Sequence, residues 1–236
     1  MQQEHHRHGT QRTLVVLDGD LGGLVNLTRV VLARDSSQAA GQVPSVVYGL
    51  VSPAISDECE RAASAQMDRL GVQPALSIDD SKRLALAELL KGESIDRSRE
   101  LVMLHARWIA EDMDCDRVLW YEHAGSSAPD QQPVASVSHH HAVLLNTRLL
   151  ISQLGLVQVP QEQAVRASVS AVRAISRRQP ATIDCPLMDL DDSILASLAL
   201  DLDCPVDLVW WAMSSSDKGT AARVRWSEAG LIMSYN

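Results

Sequence analysis

Phenylalanine is absent from this chain, and aromatic residues make up only 3% of its 236 positions. A platform on which successive bases of single-stranded nucleic acid stack needs more aromatic surface than that. Basic residues are also in the minority, 21 Lys and Arg against 30 Asp and Glu, giving a net charge of -9. Nonspecific nucleic-acid binding by counterion release needs a basic face, so that class is excluded. No run of about eighteen apolar residues occurs, and the opening MQQEHHRHGTQR has no apolar core, so neither a membrane span nor a signal peptide is expected. Cys59, Cys115, Cys185 and Cys204 form no Cys-x-x-Cys pair, and no Cys or His follows Cys204. Buried free thiols in a cytoplasmic protein are the expectation, with no zinc site. There is no Gly-x-Ser-x-Gly, no lysine-bearing phosphate loop and no Gly-x-Gly-x-x-Gly.

What is present is aliphatic. The 46% hydrophobic content suffices for the core of one domain over 13–236, after an N-terminal tail over 1–12 expected to be disordered. TLVVL (Thr13 to Leu17) reads as a buried strand running into the turn DGDLGG (Asp18 to Gly23), and Leu24, Leu27, Val30 and Val31 then recur with helical spacing. The same alternation continues along the chain. Strands are expected at 43–51, 75–78, 117–121 and 181–185, and helices at 56–70, 81–91, 98–113, 142–154 and 161–178, with a long polar loop from His123 to Ser138. CPLMDLDDSILASLALDLDCP (Cys185 to Pro205) adds a helix capped by Asp189 or Asp191, with Leu190, Ile194, Leu195, Leu198 and Leu202 as its apolar stripe. Alternating strands and helices predict a three-layer α/β/α sandwich around a five-stranded, mainly parallel sheet. Ligands of such sheets bind beyond the strand carboxyl ends where strand order reverses, which puts the Asp18 to Gly23 loop at the expected site.

Pro186-Leu187, a short helix, and then PVDLVW (Pro205 to Trp210) resemble the C-terminal part of the 7-cyano-7-deazaguanine synthases of the queuosine pathway, PP-loop ATP pyrophosphatases with a Rossmann-like fold. The resemblance implies that Asp18, Gly19, Asp20, Leu21, Gly22 and Gly23 stand where that family wraps the pyrophosphate of ATP with Ser-Gly-Gly-hydrophobic-Asp-Ser. Gly19 and Leu21 match that motif; Asp18 and Gly23 replace its serines, Asp20 its second glycine and Gly22 its aspartate. A carboxylate about 4 Å from a phosphate charge costs roughly 4 kcal/mol at an effective dielectric of about 20. Mg²⁺ held by Asp18 or Asp20 would reverse that sign.

The resemblance further implies that Arg97 or Arg99 contacts phosphate or carboxylate, and that His123, Pro129 and Asp130 line the base pocket. MSSSDKGTAARVRWSEAGL stands in place of the family's zinc cysteines, while Arg223 to Leu231 is similar to the helix that follows them. The first expectation is a protein of this fold without ATP-dependent catalysis, binding a nucleotide, a small metabolite or a partner. The alternatives are an active ATP-dependent ligase with a Mg²⁺-assisted site, and a subunit or homodimer burying Trp210, Trp211 or Trp226 at its contact.

Other clusters have plainer readings. Three adjacent histidines, His139 to His141, point in diverging directions and do not converge on one ion. His105 reads as a core histidine with its hydrogen bonds satisfied, and the acidic run Glu111, Asp112, Asp114 and Asp116 as a solvated turn. Trp210 and Trp211, being adjacent, are not expected to face one core.

Overall fold

The computed structural model describes residues 10–42, 45–52, 55–75, 95–124 and 181–231. Five parallel strands form one sheet in the order β3-β2-β1-β4-β5: β1 (Arg12–Leu17), β2 (Val46–Val51), β3 (Gln73–Pro74), β4 (Arg117–Leu119) and β5 (Thr182–Asp184). β1 is central because both its faces are apolar. Leu14 and Val16 point into a core built with Val102, Met103, Ala106 and Ile109 of α3 (Ile95–Asp112). Val15 and Leu17 point the other way, towards Leu27, Val30 and Val31 of α1 (Leu21–Ala39) and Ala63 and Met67 of α2 (Asp57–Arg69). Side chains alternating across a pleated strand thus give α1 and α2 on one face and α3 on the other. This is the expected three-layer α/β sandwich.

A third core joins the first turns of α1 to the C-terminal helices. These are α4 (Asp192–Asp201), α5 (Trp210–Met213) and α6 (Asp217–Glu228), with a 3₁₀ turn at Val206–Leu208 between α4 and α5. Leu21, Leu24 and Val25 pack there against Leu187, Leu195, Ala199, Val209, Trp211 and Trp226. Asp191, not Asp189, caps α4, accepting from the Ile194 amide at 2.9 Å. That register leaves Ile194 half exposed and turns Leu195, Ala196 and Ala199 inward, so the expected stripe is wrong at Ile194. Trp210 and Trp211 both pack against this one core, Trp211 completely buried within the short α5, against the expectation that they diverge.

A strand is found at Gln73–Pro74, and of the strand expected at 75–78 only Ala75 lies within the described residues. As an edge strand it tolerates Pro74, which has no N–H to give a further neighbour. Arg12 belongs to β1 rather than to a disordered tail; its amide donates to Asp116 and its guanidinium to the Met113 carbonyl, closing the C-terminal end of α3. His105 is buried with Nδ1 unpartnered among the described residues, so the expected satisfied histidine is not found; burial alone pushes its pKa down. All four cysteines are free, Cys115 and Cys204 buried and the other two half-buried. Among the described residues no helix is long and apolar enough to cross a membrane. The expected helices at 81–91, 142–154 and 161–178, the tail over 1–9 and the His139 to His141 triplet lie outside the described residues.

Candidate functional site

Strand order reverses between β1 and β4, so the crevice a ligand would use lies between the Asp18–Asp20 loop and the exit of β4. Among the described residues, α1 approaches its neighbours closely here. Gly22, in the first turn of α1, lies so close to the exit of β4 that a Cβ on it would collide with the Tyr121 carbonyl. Gly19 takes a left-handed φ of +78°, and a Cβ there would strike the Cys59 carbonyl at the start of α2. The Gly19 carbonyl accepts from the Trp210 amide at 2.9 Å and from Gln66 Nε2 at 3.2 Å, and Gln66 also donates to the Leu208 carbonyl. The C-terminal segment is therefore tied directly to the loop.

Asp20 is the N-cap of α1. Its Oδ1 accepts from the Leu21 amide at 2.8 Å and from the indole Nε1 of Trp211 at 2.8 Å. The chain's own carboxyl group thus lies at the positive end of the helix, where an external anion would otherwise be held. Asp18 turns back on the loop, its Oδ1 accepting from the Asp20 amide at 3.0 Å. Burial, then Asp20 and to a smaller extent Glu122, raise the Asp18 pKa to about 8. Burial likewise pushes the Cys59 thiol up, with Asp18 and Asp20 adding to the shift. Among the described residues no three His, Cys, Asp or Glu side chains come together as a metal site.

His123 lies buried on the far side of the α1 start. Its Nδ1 is 3.5 Å from Asp192 Oδ1, its ring tilts against Trp226 at 5.7 Å, and its Cδ2 edge faces Gly22. Burial lowers its pKa, more than Asp192 and Asp20 raise it. Asp192 receives two hydrogen bonds from Arg225, at 2.6 and 2.7 Å, and Trp226 stacks on Trp211 at 6.3 Å. Where the resemblance implies zinc cysteines, polar contacts join the elements. Ser214 Oγ donates to Glu58 on α2 at 3.1 Å, and Arg223 donates to the carbonyls of Trp211 and Ser214 at 2.6 and 2.7 Å.

Of the site residues expected from the sequence, the structure brings together Asp18, Gly19, Asp20, Leu21, Gly22, Gly23 and His123 around the start of α1. Arg97 and Arg99 fall on the first turns of α3, their side chains outside the described residues, as are Pro129 and Asp130 altogether. Trp211, Gln66, Asp192 and Arg225 were missed as site residues. Asp20 and Trp211 are 191 positions apart, and only the folded chain shows the pairing. Trp211 and Trp226 are inside the chain, 0% and 1% exposed, so neither is available for the expected subunit contact.

The fold is that of a parallel α/β protein whose C-terminal helices pack against the first turns of α1 beside the switch point. No protein-family model matches the chain. No curated protein matches it. Among solved structures it is similar to the U34-tRNA thiolase NcsA from Methanococcus maripaludis with its 4Fe-4S cluster, at a TM-score of 0.42 and 12% identity, over 94% of this chain and 73% of that one.

Proposed function

We propose that this protein is a non-catalytic relative of the 7-cyano-7-deazaguanine synthases, with the PP-loop fold, that binds a small metabolite or a protein partner without turning over ATP. The observation that carries the reading is the position of Asp20: its carboxyl group caps α1 and is held there by Trp211 Nε1. A pyrophosphate wrapped by the Asp18 to Gly23 amides would have to displace that group or sit beside it. Asp20 and Glu122 add carboxyl groups close enough to act on Asp18, and carboxylate charge there opposes phosphate. Gly22 supports the same reading, since an aspartate at its position, which the family motif has, would begin with a Cβ colliding with the Tyr121 carbonyl.

The test is turnover. Purified protein incubated with ATP, Mg²⁺, ammonia and a 7-deazaguanine carboxylic acid is expected to yield neither AMP nor pyrophosphate above a no-protein control. Stoichiometric or greater AMP formation would establish an active ligase and end this reading.

A further inference from the structure

The contacts of His123 join three parts of the chain that are far apart in sequence. It follows β4, its Nδ1 faces Asp192 in the first turn of α4, and its ring lies against Trp226 of α6. Asp192 is in turn gripped by both Arg225 Nε and a terminal guanidinium nitrogen. The side chain of His123 is 5% exposed, that of Asp192 25% and that of Arg225 41%. Water therefore screens the outer, Arg225 end of this chain of charges and not the inner one.

We propose that His123, Asp192 and Arg225 form a pH-sensitive latch that fastens the C-terminal helices over the α1 rim and loosens on mild acidification. Among the described residues, the ionisable groups that act on His123 from the packed elements include Asp192 on α4, Arg225 on α6 and Asp20 at the start of α1. With the imidazole neutral, Asp192 is committed to Arg225. An imidazolium at the same place would compete with Arg225 for Asp192 and sit against the Trp226 ring with little water to solvate it.

The sign follows from burial. His123 in the folded chain takes up a proton less readily than an ordinary histidine, so the stability it lends is complete above the ordinary histidine range. That stability is lost as pH falls through the range and down to the folded value. Each pKa unit of depression is a tenfold change in the opening equilibrium. Asp18 slopes the opposite way, gaining stability as pH falls from about 8, so the two groups are separable by substitution. Opening the latch moves α6 and Trp226, hence Trp211 and the group that Trp211 holds, Asp20.

Amide hydrogen exchange of the full chain at pH 7.5 and 5.0, corrected for intrinsic rates, tests this. Protection of 206–228 is expected to be lower at pH 5.0 than at pH 7.5 while β1 keeps its own. In His123→Gln the step is expected to vanish. A second variant, Asp192→Asn, leaves an acceptor for Arg225 but removes the charge that favours imidazolium, and should move the step to lower pH. Equal protection at both pH values in the unaltered chain, or an undiminished step in His123→Gln, overturns the latch; so does an unmoved step in Asp192→Asn.

Discussion

Replacing Asp20 by alanine removes two contacts that share one oxygen. The first is the cap of α1, a substitution that typically costs about 1 kcal/mol. The second is the acceptor for Trp211 Nε1; Trp211 is completely buried, and an orphaned buried donor costs about 1–3 kcal/mol. Relief of the repulsion between positions 18 and 20 returns part of that. The expected net loss is about 2–3 kcal/mol, which for a chain of this size lowers Tm by roughly 4–12 °C. Asp20→Asn keeps an oxygen in place, is an equally good cap, and should cost less than about 1 kcal/mol.

Urea unfolding followed by tryptophan fluorescence measures both variants, and Trp211 reports directly on its lost partner. The reasoning is refuted if alanine and asparagine at position 20 have the same midpoint, for then neither the cap nor the indole contact contributes.

Asp18 holds its proton far above the ordinary carboxylate range, so the folded state is favoured at low pH and loses that advantage as pH rises from about 4 to about 8. Asp18→Asn keeps the acceptor for the Asp20 amide, and its unfolding midpoint should rise relative to the unaltered chain at pH 9 but not at pH 4; a constant offset at both would contradict the assignment. Gly22→Ala should destabilise by about 1–3 kcal/mol, because the obstacle is the backbone carbonyl of Tyr121 rather than a movable side chain. Helix propensity alone predicts the opposite, a gain of up to about 1 kcal/mol, so the sign of the change in thermal denaturation decides between them.

Much of the frame was legible because β1 and α1 carry local signals. TLVVL is buried on both faces, and a strand of that kind reads as an unbroken apolar run. The α2 boundaries were equally plain, Ser56 accepting from the Cys59 amide and Gly71 following in the left-handed region. Gln73–Pro74 was not legible as a strand because two residues carry no pattern of their own, and their pairing is decided by register with Tyr48 and Gly49 on β2. On α4 the large residue Ile194 suggested the buried face, whereas the small residues Ala196 and Ala199 allow the close approach to α1.

At the site, the sequence placed the loop but not its occupant. The sequence reads Asp20 as a repulsive charge or a metal ligand, and its role as the cap of α1, shared with Trp211, shows only in the folded chain. His123 was singled out through resemblance, while its partners Asp192 and Arg225 come from helices whose packing the sequence does not display.

The central claim is that the chain fills its own anion position. Calorimetric titration of ATP into the folded protein, with and without Mg²⁺, alongside Asp20→Ala, tests it most directly. No heat of binding to the unaltered chain at millimolar ATP under either condition is the expected result. Binding that requires Mg²⁺ and disappears in Asp20→Ala would contradict it, because Asp20 would then be holding a cation for the nucleotide rather than standing in its place.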